Sequence, residues 1–93
     1  MPVYSGFSSV PQINVAVTAN LAEIPTATAT KVAFTVPGAT PGMFFVIAAP
    51  SLEDGLSIGS AYCAVAGTVQ VLVVNPTVGP INPASQVFYF LGL

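Results

Sequence analysis

Between Gly67 and Leu93 the chain makes two runs of β-branched and aromatic residues, Thr68–Val74 and Gln86–Leu91, around a connection rich in Pro, Gly and Asn. Val, Phe and Tyr suit a pleated, half-buried surface. Asn75-Pro76 stops the first run, because the residue before Pro is pushed out of helical geometry and Pro offers no amide donor. Asn82-Pro83 repeats the device before the second run. Two strands of a β-sandwich joined by a turning loop are expected, with the rest of the chain layered around them.

The same alternation runs through the preceding residues. Ile13, Val15 and Val17 alternate with Asn14, Ala16 and Thr18, and Val32, Phe34 and Val36 alternate with Ala33 and Thr35, the period-two pattern of strands with one buried face. Leu21–Ile24 is long enough for one helical turn, which Pro25 ends. Pro37-Gly38 and Pro41-Gly42 bracket a tight reversal. Met43–Ala49 is nearly continuous in apolar residues, so both of its faces are expected to be covered. Leu56–Ile58 reads as a short strand cut by Gly59, and Ala61–Val65 as another. Val69, Val71 and Val73 share one face of the next strand, with Gln70, Leu72 and Val74 on the other. In the last strand Gln86, Phe88 and Phe90 alternate with Val87, Tyr89 and Leu91. No segment sustains a period of 3.6. About seven short strands with Pro/Gly punctuation predict an all-β, single-domain antiparallel β-sandwich over 12–93, jelly-roll-like or a partial barrel. Residues 1–11 read as an extended N-terminal arm that Tyr4 and Phe7 could anchor on a neighbour; a poorly ordered terminus is the plainer reading.

Composition matters most for what it excludes. Charged residues make up 4% of the 93 residues, against about 25% in an ordinary soluble domain. They are Glu23, Lys31, Glu53 and Asp54. A folded monomer of this mass exposes roughly 5,000 Å², which four charges cannot break up. Apolar surface left over on that scale marks an interface, so an obligate oligomer or a subunit of a larger assembly is expected; the alternative is a monomer coated with Ser and Thr. With Lys31 as the single basic residue, binding to a phosphate backbone is not expected. The longest apolar block, Met43–Pro50, is far short of a membrane-spanning helix, and the chain is too short to build a membrane barrel alone. The N-terminal residues lack the basic and apolar regions of a secretory signal.

No catalytic constellation is legible. The absence of His removes the commonest acid/base group and metal ligand. No Cys or His cluster can hold zinc, and no glycine-rich loop precedes a helix. Glu53-Asp54-Gly55 could bind a cation or do acid/base work, but adjacent carboxylates before Gly fit solvent-facing turn residues better. Cys63, the one cysteine, sits in Ala-Tyr-Cys-Ala-Val, a setting for a small buried hydrophobe rather than a reactive thiol. A non-enzyme without cofactor or metal is expected.

The turn pattern carries one resemblance. Val36-Pro37-Gly38, Pro41-Gly42 before an apolar strand, Gly55-Leu56-Ser57-Ile58, Ala64–Val71, Asn75-Pro76-Thr77 and Ile81-Asn82-Pro83-Ala84-Ser85 are followed by an aromatic strand. Over residues 30–93 this resembles the small all-β capsid decoration, or cement, proteins of tailed bacteriophages. Such proteins often carry Gly-Asp before the third strand, where this chain has Gly42-Met43. The resemblance implies a virion protein made in the host cytoplasm, a homotrimer on the outside of the head that clamps the major capsid protein. The apolar strand faces at 43–49 and 86–91 are expected to make subunit or capsid contacts, with Tyr4, Phe7, Phe44, Phe45, Phe88 and Phe90 as the contact residues. A receptor- or glycan-binding β-domain of a fibre or adhesin is the rival reading.

Overall fold

The computed structural model describes residues 13–93. The described chain is all-β: β1 (Ile13–Ala19), β2 (Thr28–Thr35), β3 (Phe45–Ala48), β4 (Ser57–Val65), β5 (Thr68–Asn75) and β6 (Gln86–Gly92). They form two antiparallel three-stranded sheets, in the orders β1-β6-β3 and β2-β5-β4. The two runs that flank the Pro-rich connection, β5 and β6, are thus the central strands of the two sheets. Only β4 and β5 are joined as a hairpin within a sheet; every other connection crosses to the opposite one.

Register fixes which side chains face inward. β1 pairs with β6 from Ile13 opposite Gly92 to Ala19 opposite Gln86, and β2 pairs with β5 from Thr28 opposite Asn75 to Thr35 opposite Thr68. A one-residue slip would turn every core residue outward. Val69, Val71 and Val73 of β5, Phe34 of β2 and Cys63 of β4 meet Phe88 and Phe90 of β6 in a single core. The Phe34 ring lies 5.0 Å from that of Phe88 and 5.1 Å from that of Phe90, so the contact runs from one sheet to the other.

Several expectations change here. The described strands number six, because Gly59 does not cut β4: the strand continues with shifts of register between Ile58 and Ala61 and between Tyr62 and Val65. A Cβ at Gly59 would lie 3.2 Å from Leu72 Cδ2, so the glycine gives room to the neighbouring strand where the bulge forms. Leu21–Ile24 forms no helical turn; Ile24 pairs with Ile81, with N–O distances of 2.7 and 3.0 Å. Residues 1–11, the expected arm, lie outside the described residues, and with them Tyr4 and Phe7.

Candidate functional site

One face of the β1-β6-β3 sheet points away from the core. Its rows follow from the register: Asn14, Leu91 and Val46 lie side by side, then Ala16, Tyr89 and Ala48, then Thr18 beside Val87. Val46 is 55% exposed and Tyr89 45%. Phe44, also exposed, continues this side beyond β3, where its backbone exchanges hydrogen bonds with Leu93. No charged residue lies on this face; its polar groups are Asn14, Thr18 and the Tyr89 hydroxyl. The outer face of the other sheet differs, because Lys31 crosses it with its ammonium 5.7 Å from the centre of the Tyr62 ring, a cation–π contact.

The expected contact residues divide accordingly. Phe44 is exposed, while Phe45 packs against the core. Phe88 and Phe90 are wholly buried inside the monomer and cannot meet a partner. That expectation is corrected: the outward side of β6 is Val87, Tyr89 and Leu91. Both sides of β6 are apolar, so alternation alone does not orient it. Gln86, which shares a face with the phenylalanines, makes that face look like the wet one. It is buried all the same, its nitrogen met by the loop: Gln86 Nε2 donates to Glu53 Oε1 and to the Ala84 carbonyl, each at 3.0 Å, while its own Oε1 is buried without a partner. The usable signal was the Tyr89 hydroxyl, since a buried phenol needs a partner. Val46, Tyr89 and Leu91 lie within the expected faces 43–49 and 86–91 but were not singled out; the structure places them on the outward side.

A second surface lies at the end of the molecule where the connections 20–27, 49–56 and 76–85 meet. Asn75, fully buried at the end of β5, organises it. Its Nδ2 donates to the carbonyls of Ile24 and Gly79, both at 3.0 Å. Its Oδ1 accepts the Thr77 amide at 3.0 Å. The Thr77 hydroxyl lies 2.6 Å from that oxygen and 2.8 Å from the Gly79 carbonyl, and its single proton serves one at a time. Thr26 donates its hydroxyl proton to the Thr77 carbonyl. Gly55, at φ +92°, leaves the space that Thr77 and Ile81 use; a Cβ there would fall 2.8 Å from Thr77 Cγ2.

Glu53 ties the third connection in. Its carboxylate accepts the Ala84 amide at 2.8 Å as well as Gln86 Nε2. These two hydrogen bonds, the backbone one first, hold its pKa below the usual carboxylate range. Glu53 was expected to be a plain turn carboxylate; it is instead the strut that positions the start of β6.

Cys63 is buried, with Sγ 3.1 Å from the Val65 carbonyl oxygen. Among the described residues no group of three or more His, Cys, Asp or Glu side chains is placed to hold a metal ion, and no helix is long and apolar enough to cross a membrane. The chain matches no family model, no curated protein and no solved structure. Its surface therefore has to carry the functional reading.

Proposed function

We propose that the chain is a non-catalytic structural subunit of a tailed-phage head, a decoration protein that associates with copies of itself and clamps the major capsid protein. The observation that carries this reading is the uncharged outer face of β1-β6-β3, where Val46, Ala48, Tyr89, Leu91 and Ala16 form adjoining rows. Apolar area of this kind gains about 25 cal/mol per Å² when removed from water. A face without charges also meets another copy of itself at no cost in like-charge repulsion. In this reading the sandwich is the rigid body of the subunit, residues 1–11 supply a tether through Tyr4 and Phe7, and the self-association is trimeric. Turn pattern supports the virion assignment, and low charge supports the assembly.

Size sets a condition on the assembly. Strands about 4.8 Å apart, rising about 3.3 Å per residue, give a three-stranded face of this length a footprint of a few hundred Å². A stable two-body interface buries roughly 800 Å² per partner. The face is smaller than that, so a lasting assembly needs further contacts, and a subunit held between several neighbours supplies them.

The test is location. Virions purified from the phage that carries the gene should contain the protein on the head surface, accessible to labelling antibodies, in many copies per particle. Finding it only in tail fibres, or missing from virions, would end this reading. Glycan binding by the isolated protein would favour the adhesin reading instead.

A further inference from the structure

The β5–β6 connection exposes an apolar side chain that the monomer has no use for. Val78 is 103% exposed, as open as in an extended peptide, and it is flanked by the exposed Pro76 and Pro80. A single exposed valine is ordinary on a protein surface. Val78 differs in how it is held. Thr77 is fixed at its amide by Asn75 Oδ1 and at its carbonyl by Thr26. The Gly79 carbonyl is fixed by Asn75 Nδ2, and Ile81 is paired with Ile24. The backbone on both sides of Val78 is thus anchored, through the buried Asn75 and Ile24 and the exposed Thr26, while its side chain faces solvent. Turn positions favour Gly, Asn, Asp and Ser. A β-branched apolar residue here breaks the local preference with no gain in packing, the pattern expected where function sets the residue.

The charge around this tip is one-sided. All three carboxylates of the sequence lie in the connections that meet here. Glu23 precedes Ile24, which is bridged to Ile81. Glu53 holds Ala84 and Gln86, and Asp54 adjoins Gly55, which packs beside Thr77 and Ile81. At the opposite end, residues 36–44 and the Ala66-Gly67 turn carry no charged side chain. A second copy presenting the same end would bring carboxylates against carboxylates, so self-pairing through this tip is disfavoured.

We infer that the Pro76–Pro80 loop is a preformed knob by which the subunit docks on its shell, Val78 entering an apolar pocket of a protein surface bordered by Lys or Arg side chains. This rests on the proposed function and specifies the chemistry of the partner. The loop reaches the partner already ordered, so little conformational freedom is lost on docking. Complementary charge steers the encounter and makes binding weaken with salt.

The experiment uses heads lacking this protein, from the phage that carries the gene, as the probe for the full chain. Val78→Asp is compared with Val65→Asp, a control at the exposed β4–β5 hairpin, 67% exposed; thermal melts confirm that both fold. Expected are binding by the wild-type chain that falls as salt is raised, a loss of roughly tenfold or more for Val78→Asp, and near wild-type binding for Val65→Asp. Glu23→Gln with Asp54→Asn should bind more weakly at low salt and respond less to added salt. Wild-type binding that Val78→Asp leaves unchanged, or that both Asp variants abolish equally, overturns the knob and spares the proposed function. Failure of the wild-type chain to bind the heads overturns the proposed function and this docking partner together.

Discussion

Phe34 of β2 meets Phe88 of β6 edge-on, with 60° between the ring planes. Because β2 belongs to one sheet and β6 to the other, this contact joins the two halves of the core. Edge-to-face aromatic pairs contribute about 0.5–1.5 kcal/mol beyond the area they bury. Phe34→Ala removes both the contact to Phe88 and the one to Phe90, and Val69, beside it on β5, cannot fill the gap. The expected loss is about 3–5 kcal/mol. Against a total stability of about 5–15 kcal/mol, that leaves a marginal fold, which urea unfolding followed by intrinsic tyrosine fluorescence would show as a much lower midpoint. A midpoint close to wild type would mean that the sheets are held together elsewhere.

Asn75 ties two connections, 20–27 and 76–85, together with one amide. Asn75→Ala leaves the Thr77 amide short of its partner, while the carbonyls of Ile24 and Gly79 each lose one of two, Ile24 keeping the Ile81 amide and Gly79 the Thr77 hydroxyl. Each buried polar group left unmet costs about 1–3 kcal/mol, so a loss of about 2–4 kcal/mol is expected. Hydrogen exchange should also speed up at Thr77 and Ile81 before the strands open. Asn75→Asp keeps the acceptor but turns an anion toward two carbonyl oxygens, and should be no better tolerated at neutral pH.

Glu53 gives the fold a pH dependence with a definite sign. Its folded pKa lies below its unfolded value, since the Ala84 and Gln86 hydrogen bonds favour the carboxylate. The stabilisation is complete above the ordinary carboxylate range and is lost as pH falls through the depressed folded value. Melting temperature should therefore hold through neutral pH and fall in acid. Glu53→Gln, which still offers Gln86 an acceptor oxygen, should flatten part of that fall. An unchanged acid limb in the variant would assign the loss to other groups.

Ala27 is the one non-glycine residue at positive φ among the described residues, at 54° in the turn before β2. Left-handed geometry crowds a Cβ against the backbone, a strain that Gly escapes but repays partly in unfolded-state entropy. Ala27→Gly should raise stability by up to about 1 kcal/mol, read as a higher urea midpoint with an unchanged slope. A lower midpoint would show that chain entropy outweighs the strain.

The alternation in residues 13–18, 32–36, 69–73 and 86–91 was enough to place four strands and to single out β5 and β6 as the pair the rest packs around. Alternation put Val69, Val71 and Val73 on one face of β5, and the structure buries that face. The same rule could not orient β6, where both sides are apolar and the one amide, Gln86, has its nitrogen met by a carboxylate from a distant loop. Nor could it show that Gly59 marks a bulge rather than a break, because that depends on Leu72 in the adjacent strand. The Ile24–Ile81 bridge and the four-way role of Asn75 depend on segments far apart in sequence, and neither leaves a local pattern.

Orientation of β6 yields the prediction that separates fold from assembly. Phe90 and Tyr89 are adjacent in sequence and lie on opposite sides of the sheet, one wholly buried and one 45% exposed. Phe90→Ala should cost about 3–5 kcal/mol and lower the urea midpoint sharply. Val46→Glu and Tyr89→Glu place a charge on the exposed face, where substitutions change stability by about 0.5 kcal/mol or little more. A charge buried at a subunit contact without a partner is costly, so both Glu variants should fall to the monomer mass on a sizing column with light scattering, while the wild-type chain keeps a larger mass on dilution. Their melting should stay close to that of a wild-type monomer. If the wild-type chain is a monomer at every concentration, or if the Glu variants keep its larger mass, the β1-β6-β3 face is not the contact between copies.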